Sequence, residues 1–404
     1  MHFAAIDMPG SITEVTKAVE ALLANPPPLE SRQDGEAEQL IEAMGRLQVA
    51  LERPEQTVNR IIFSCRTLPI VKIAQGMGIF DAFAAASNNP LTVDQLDQQT
   101  KGDRAMLTRI LRLLIAEKIV SKSQQGYVLA PFALQFRNDT VSGEVVKHFY
   151  NTALTAIRSD DYLKARNYMT PDDAFDAPHQ FANNTRKHYF EWLAENEERQ
   201  RPFNATMSLP RHDDSNQWFD VYPVRERFSS SSNAFVDIGG GSGHDVARLK
   251  KEFPELTCGM VLQDLPSVVQ GVSLPGIEVI PHNMFEEQPV KNAKAYYMRT
   301  VLHDWPDKQA LQVLARTREA MDKDSILLIN ENVLSEDGSD DTPVVAHTDF
   351  TMMLNFSSRD RTEQEWIDLL QKANFKIVKV WKPKATIKSR ALFEAVRQDS
   401  QALL

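Results

Sequence analysis

The stretch FVDIGGGSGHD, Phe235–Asp245, decides how the chain is read. An apolar run interrupted only by Asp237 leads into three alternate glycines, Gly239, Gly241 and Gly243, and DVARLKKEF then continues with helical spacing. The loop therefore lies where a strand hands over to a helix N-terminus, a place whose free backbone N–H groups face a ligand. Turns collect glycine for backbone reasons alone, so it is the strand–loop–helix context that gives the triplet weight. The spacing is GxGxG. A dinucleotide fingerprint would need glycine where His244 stands, which makes pyrophosphate the weaker reading.

Downstream the grammar repeats. LTCGMVLQDL, IEVIPHNMF, AKAYYMRTVL, SILLINENVL, KIVKVWKP and RALFEAVR read as strands, with KQALQVLARTREAM and EQEWIDLLQKAN as helices between them. Short apolar strands alternating with helices predict an α/β domain with a parallel sheet covered on both faces. Asp264 ends the strand after the glycine loop, at the distance expected for a carboxylate that accepts from ribose hydroxyls, and an acid there excludes a ribose phosphate. His282, Asn283, Met284 and Phe285 follow the third strand. They are placed to flank an adenine, with the Asn283 amide oxygen accepting from its exocyclic amine, although Met284 and Phe285 read equally well as core.

Upstream, Ser229 to Ser232 mark a boundary. Residues 141–232 read as mostly helical, with aromatics clustered in HYFEWL and NQWFDVYPVRERF. Residues 61–140 read as a helix over LPIVKIAQGMGIFDAFAAA, a second capped by Thr92 and Gln95, a third with Met106, Leu107, Ile110, Leu111 and Leu114 at helical intervals, and a hairpin in SKSQQGYVLAP. That is a winged-helix pattern. Arg104, Arg109 and Arg112 on the third helix would suit DNA binding, but the acidic chain favours a packing or dimerisation module. Residues 1–60 read as N-terminal helices with too little apolar surface for a core of their own, which suits a part in dimerisation.

Composition narrows the function. The 404 residues suffice for two or three domains, and 42% hydrophobic with 25% charged residues is ordinary for a globular protein. A net charge of −10 argues against general binding to nucleic acid or anionic membranes. Cys65 and Cys258 are far apart and form no CxxC, which suggests neither a zinc site nor a disulfide scaffold and fits a reducing, cytoplasmic setting. The N-terminus does not read as a secretory signal, and no apolar run approaches the about 18 residues of a membrane span.

The residue that asks for chemistry is His303, in MRTVLHDWPD. It follows a buried strand and so stands at the carboxyl edge of the sheet, on the side of the glycine loop. Taken alone, a histidine at an element boundary usually satisfies a local hydrogen bond. With no second histidine at helical spacing and no acid cluster beside it in sequence, a metal site is the weaker alternative. Two carboxylates are placed to orient it. Glu331 ends SILLIN, and Asp360 precedes a helix capped by Thr362 and Glu365; on its own each reads as a solvated strand end or surface charge. Asp304 reads as facing away to cap the helix begun at Pro306.

VDIGGGSG, QDLPSV, HNMF, YYMRTVLHDWPD, LLINENVL and RDRTEQEW, in this order and at these intervals, resemble the S-adenosylmethionine-dependent O-methyltransferases of the cation-independent type. That group includes plant caffeate and flavonoid enzymes and many fungal secondary-metabolite enzymes. The resemblance runs from about Ile61 to Arg397 and is nearer to the fungal branch. It implies a Rossmann-like class I domain over 233–404 with a seven-stranded, mostly parallel sheet, preceded by an all-helical, winged-helix dimerisation domain that forms a homodimer.

The same resemblance sets Gly239, Gly241 and Gly243 against the methionine part of the cofactor and Asp264 on the ribose hydroxyls, with Asp237, Leu265 and Phe285 in the cofactor-binding set. Asn283 and Met284 take the adenine-contacting pair, with asparagine where plant enzymes have aspartate. Arg299 stands where they have lysine. The resemblance makes His303 the general base and Glu331 and Asp360 its flanking acids, Asp360 being one methylene shorter than the usual glutamate and its contact the least secure. No metal is implied.

The implied reaction is transfer of a methyl group to a phenolic or enolic hydroxyl of a small aromatic or polyketide natural product. A phenol with a pKa of about 10 is only ~0.1% ionised at pH 7, so a positioned base contributes on the order of 100-fold or more. The acceptor pocket is expected from helices between about 145 and 210 and from 352–356, with His148, Met352 and Phe356 as lining candidates. The alternative is a pericyclase or dehydratase of the same architecture that binds the cofactor without transferring its methyl group, with His148 as an added acid or base. Such relatives tend to lose the histidine base, which favours transfer here. A winged-helix regulator with a vestigial cofactor fold is a third reading.

Overall fold

The computed structural model describes residues 11–26, 36–207, 217–228, 234–338, 343–382 and 390–399. The serine boundary, Ser229 to Ser232, lies outside the described residues. The chain divides into two compact units, 1–69 and 70–404.

The first unit consists of α1 (Ile12–Ala24), α2 (Glu36–Leu51), α3 (Pro54–Ser64) and the first residues of α4 (Thr67–Met77). Helix α1 opens on a capping box, with the Ser11 hydroxyl accepting from the Glu14 amide and the Glu14 carboxylate accepting from that of Ser11. Neither α1 nor α3 buries a residue, and Leu23 (74%) and Ile41 (69%) stand in solvent. These helices leave more apolar surface uncovered than a self-sufficient unit would.

In the second unit, the single helix expected over 68–86 is instead two, α4 and α5 (Ile79–Ala85), bent by 56° at Gly78. Next come α6 (Val93–Gln99), opened by the Thr92–Gln95 box, and α7 (Arg104–Ala116). Leu107, Ile110, Leu111 and Leu114 of α7 are buried, while Met106, expected on the same stripe, is 43% exposed. The hairpin pairs β1 (Val120–Ser123) with β2 (Gly126–Leu129). Six helices follow: α8 (Val141–Ile157), α9 (Ser159–Lys164), α10 (Pro178–Asn183), α11 (Tyr189–Ala194), α12 (Glu197–Met207) and α13 (Val224–Phe228).

The α/β region contains β3 (Phe235–Ile238), α14 (His244–Glu252), β4 (Met260–Asp264), α15 (Pro266–Val269), β5 (Glu278–Pro281), β6 (Ala295–Arg299), α16 (Asp307–Ala320), β7 (Ile326–Leu334), α17 (Pro343–Phe356), β8 (Arg361–Thr362), α18 (Glu363–Lys372), β9 (Phe375–Trp381) and β10 (Arg390–Arg397). Seven strands run in the order β5-β4-β3-β6-β7-β10-β9, with the two-residue β8 attached to β7. From β5 to β7 the pairing is parallel, and β10 is antiparallel to both of its neighbours. Side chains alternate between two cores: Val236, Tyr296, Met298, Leu327 and Ile329 enter one, and Phe235, Ala295, Tyr297, Ile326 and Leu328 the other. That alternation is why the strands read as unbroken apolar runs, since both faces are covered.

The connections reverse direction between β3 and β6, so the crevice at their carboxyl ends is the topological switch point of the sheet. The glycine loop leaves β3 there, and the histidine turn leaves β6.

Candidate active site

On the β3 side, Asp264 organises the loop. One of its oxygens accepts from the Gly241 amide at 2.8 Å and the other from the Leu265 amide at 2.7 Å. Gly239 has φ +70°, and an added Cβ would lie 2.8 Å from Val301 Cγ2, so only glycine lets this loop pass the histidine turn. Gly241 has φ +61° with open space before it, and Gly243 caps α14. Asp237 is buried, and its Oδ2 has no hydrogen-bond partner among the described residues. Burial, followed by the neighbouring Asp245 and Asp264, pushes its carboxyl well above the usual range, and Arg299 acts in the opposite sense.

The Arg299 guanidinium is paired with Asp245, which also accepts from Tyr297 Oη at 2.8 Å; Asn330 donates to that hydroxyl at 2.9 Å. Asp245, which the sequence reading passed over, thus answers the charge expected to face the cofactor, although Arg299 Nε has no partner among the described residues. The Asn283 side-chain oxygen, expected to contact adenine, accepts from the Phe285 amide at 3.2 Å and so serves the turn. Met284 and Phe285 pack against the core, Phe285 meeting Trp305 edge-on at 4.6 Å, and Leu265 is partly exposed.

On the β6 side, His303 sits in a 3-10 turn, Leu302–Asp304. Its Nδ1 lies 2.9 Å from Asp360 Oδ1 and its Nε2 3.5 Å from Asp304 Oδ1. The turn is gripped by side chains. Glu331 Oε1 accepts from the Val301 and Leu302 amides at 3.0 and 2.9 Å, Ser358 donates to the His303 carbonyl at 2.7 Å, and buried Arg361 donates to the Leu302 and Trp305 carbonyls at 3.2 and 2.9 Å. Arg361 also pairs with Asp307 at 2.8 Å and lies over the Trp366 ring.

Three expectations change here. Asp360, expected to make the least secure contact, is the direct partner, because the loop before α18 brings it against the ring and makes up for the missing methylene. Glu331 is buried inside β7, not at its end, because β10 and β8 continue the pairing past it, and it holds the backbone of the turn instead of the imidazole. Asp304 turns back toward His303, and α16 starts from Pro306 with no side-chain cap. Burial alone would push the His303 imidazole down; the carboxylates of Asp304, Glu331 and Asp360 override it and bring it up to about 9. Among the described residues, no group of three or more His, Cys, Asp or Glu is disposed to hold a metal ion.

Beside this turn stands an aromatic cluster. Met352 and Phe356 of α17 pack with Tyr189, Trp192 and Leu193, and the His188 ring stacks on Trp305 at 4.5 Å and 9°. His148 on α8 is buried, meets Phe203 at 5.6 Å, and is pushed down to about 4 by burial. Phe203 meets Tyr189 and Phe190, so His148, Met352 and Phe356 come together on one cluster next to the His303 turn.

A glycine loop closed by a carboxylate, with a histidine held by acids at the same switch point of a doubly covered sheet, is the arrangement in which open α/β folds bind nucleotide-type cofactors. Comparison with known proteins narrows the class. The O-methyltransferase domain family matches residues 175–376, and the O-methyltransferase dimerisation domain family matches 59–139. O-methyltransferase ucdC of Aspergillus ustus is 30% identical over 84% of this chain and 90% of its own length. Demethylsterigmatocystin 6-O-methyltransferase of Aspergillus parasiticus is 31% identical over 82% and 86%. The structure of LepI in complex with S-adenosylmethionine superposes with a TM-score of 0.83 at 27% identity, covering 96% of this chain and all of the other; OxaC in complex with S-adenosylhomocysteine and oxaline gives 0.77 at 25%, covering 96% and 98%.

The chain belongs to the S-adenosylmethionine-dependent O-methyltransferase family of plant and fungal secondary metabolism. It is an S-adenosylmethionine-dependent O-methyltransferase, and the dimerisation-domain match supports a homodimer. The residues around the glycine loop fit the cofactor: the Asp264 carboxylate ends β4 against the loop, Asp237 Oδ2 is buried without a partner among the described residues, and an added Cβ at Gly241 would meet open space.

Proposed function

We propose that this enzyme methylates a phenolic or enolic hydroxyl of an aromatic, polyketide-type natural product, with His303 as general base. The observation that carries the proposal is the 2.9 Å contact between His303 Nδ1 and Asp360. In the free-base form of the ring it fixes the tautomer with the proton on Nδ1 and leaves the Nε2 lone pair to take the acceptor's proton. Bound S-adenosylmethionine supplies a methyl group on a positively charged sulfur. Gly239, Gly241, Gly243, Asp264 and Leu265 would hold it, with Asp237, Asn283, Met284, Phe285 and Arg299 around it. Glu331, Ser358 and Arg361 fix the backbone of the turn, so that Nε2 stays in place relative to the acceptor oxygen. Once the proton has moved, Asp304 and Asp360 flank the imidazolium and stabilise it. His148, Met352 and Phe356 belong to the acceptor wall. The −10 charge and the two free cysteines support a cytoplasmic enzyme that binds neither nucleic acid nor membranes.

The test supplies labelled S-adenosylmethionine and a panel of phenolic polyketides. S-adenosylhomocysteine should form, and His303→Ala should abolish it while leaving cofactor binding intact; undiminished turnover in that variant would refute the base assignment. The likeness to a structure described as a pericyclic reaction enzyme, with a TM-score of 0.82, supports a second reading. On that reading, substrate is isomerised or dehydrated and no S-adenosylhomocysteine is released.

A further inference from the structure

The last two residues of β4 hold the chain on both of their sides. The Gln263 carbonyl accepts from the Gly239 amide at 2.8 Å and the Gly240 amide at 3.2 Å, which ties down the glycine loop after β3. Its side chain holds the segment after β5. Gln263 Nε2 donates to Gln288 Oε1 at 2.8 Å, and Gln288 Nε2 donates back to Gln263 Oε1 at 2.9 Å. Asp264 repeats the pattern, with its carboxylate on the Gly241 amide and its carbonyl accepting from the His282 amide at 2.8 Å.

The segment that Gln288 belongs to needs side chains to fix it. Residues 282–294 form neither helix nor strand, so their backbone groups have no ladder to hold them. Met284, Phe285 and Val290 pack against the core, but apolar contact is non-directional and tolerates sliding. The amide pair does not. Gln263 and Gln288 are 1% and 2% exposed, and a shift breaks two bonds at once where no water replaces them. The Val290 amide donates to Gln288 Oε1 at 3.1 Å and so fixes which way round the pair sits, because exchanging oxygen and nitrogen would set donor against donor. Two apolar side chains of the same shape would be about as stable there, so what the amides add is register.

We propose that Gln263 and Gln288 are positioning residues for S-adenosylmethionine: their reciprocal amide bonds fix the 282–290 segment against β4, and with it the spacing between that segment and the glycine loop tied to the same glutamine. The loop takes the methionine end of the cofactor and the segment its adenosine, so the cradle has its length set before the cofactor arrives. This inference rests on the cofactor placement proposed above.

The test is calorimetric binding of S-adenosylhomocysteine, with thermal unfolding measured beside it. In Gln288→Glu the protonated carboxyl donates to Gln263 Oε1 and accepts from Gln263 Nε2 and the Val290 amide, so all three bonds survive. Once ionised it has no proton to give and sets oxygen against oxygen. Burial raises its pKa above the ordinary value of about 4.3. The ratio of variant to wild-type Kd should therefore stay within about twofold of unity at pH 5 and rise to about tenfold at pH 9. Taking the ratio removes what Asp237, Asp264, His282, Glu286 and Glu287 contribute by titrating in both proteins. The KM for the cofactor should rise in proportion, while kcat at saturating cofactor changes less.

A pair that served stability alone would lower the unfolding temperature at pH 9 and leave the affinity of the folded enzyme unchanged. That result, or a ratio that does not move with pH, overturns the inference. Gln263→Leu with Gln288→Leu decides it again if the glutamate variant does not fold: unfolding should stay near wild type while binding weakens about tenfold at every pH, and wild-type affinity in this folded variant overturns the proposal. Asp264→Ala separates the two readings. If it weakens binding and the amide variants do not, this inference alone falls; if it too leaves affinity unchanged, the cofactor placement falls and the inference with it.

Discussion

Asp360→Asn separates the two services Asp360 gives His303. The amide oxygen can still accept from Nδ1, so the tautomer is kept, but the charge is removed. In the free enzyme the imidazole is held up to about 9, which leaves only ~1% of it as free base at pH 7. Removing an anion 2.9 Å from a buried cation should lower that pKa by about 1 to 3 units, giving an apparent value of about 6 to 8 and a free-base fraction at pH 7 of ~10% or more. The base that results is weaker, so the plateau of kcat/KM falls even as its acid limb moves to lower pH. Release of S-adenosylhomocysteine, followed from pH 6 to 10 at saturating cofactor, reads both effects. The wild-type limb should centre near the His303 value and the variant's should lie at least about 1 unit lower. A limb at the same pH in both proteins would refute the argument, because the titrating group would then not be the histidine that Asp360 touches.

Three further outcomes follow from the same geometry. Arg361→Met leaves the Leu302 and Trp305 carbonyls and Asp307 without their buried partner and should cost about 3 kcal/mol in urea unfolding, with kcat falling more than KM rises. Gly239→Ala forces a Cβ against Val301 at a positive φ, and calorimetry should find S-adenosylhomocysteine bound at least about tenfold more weakly. His148, His179 and His188 have folded pKa values lowered to about 4 from 6.5, so their contribution to stability is complete above 6.5 and is lost as pH falls toward 4. Each contributes up to ~3 kcal/mol to that loss, so unfolding midpoints should drop steeply below pH 6, and His148→Phe should flatten the slope.

The fold was legible because its signal is local and repeated. Strands buried on both faces must be apolar at every position, and the glycine loop marks the first of them. At the site, position along the chain was legible: Asp264 ends β4 and His303 follows β6, both at the carboxyl edge of the sheet. The contacts were not legible. Whether Asp360 or Glu331 touches the ring depends on how a loop 57 residues downstream returns to it. Asp304 was misread because HDWPD obeys the rules of a helix cap, whereas the turn folds its carboxylate back toward the imidazole. Asp245 gave no signal as an acid in the first turn of a helix, where acids are common. HYFEWL did stand out as aromatic.

Four buried histidines within one region have been sent in opposite directions. Three carboxylates hold His303 up, while His148, His179 and His188 lie among aromatic rings and are held down by desolvation. Residue type cannot distinguish them, but environment does. An imidazole surrounded by anions holds a proton strongly, so its free-base form takes one readily, the behaviour needed to draw a proton from a phenol. Imidazoles kept neutral cannot do this, and they donate hydrogen bonds without introducing charge that would have to be solvated. Grouping carboxylates around His303 on the turn after β6, and placing the other three histidines among aromatic rings beside it, gives the region one strongly basic histidine and three that stay neutral near pH 7.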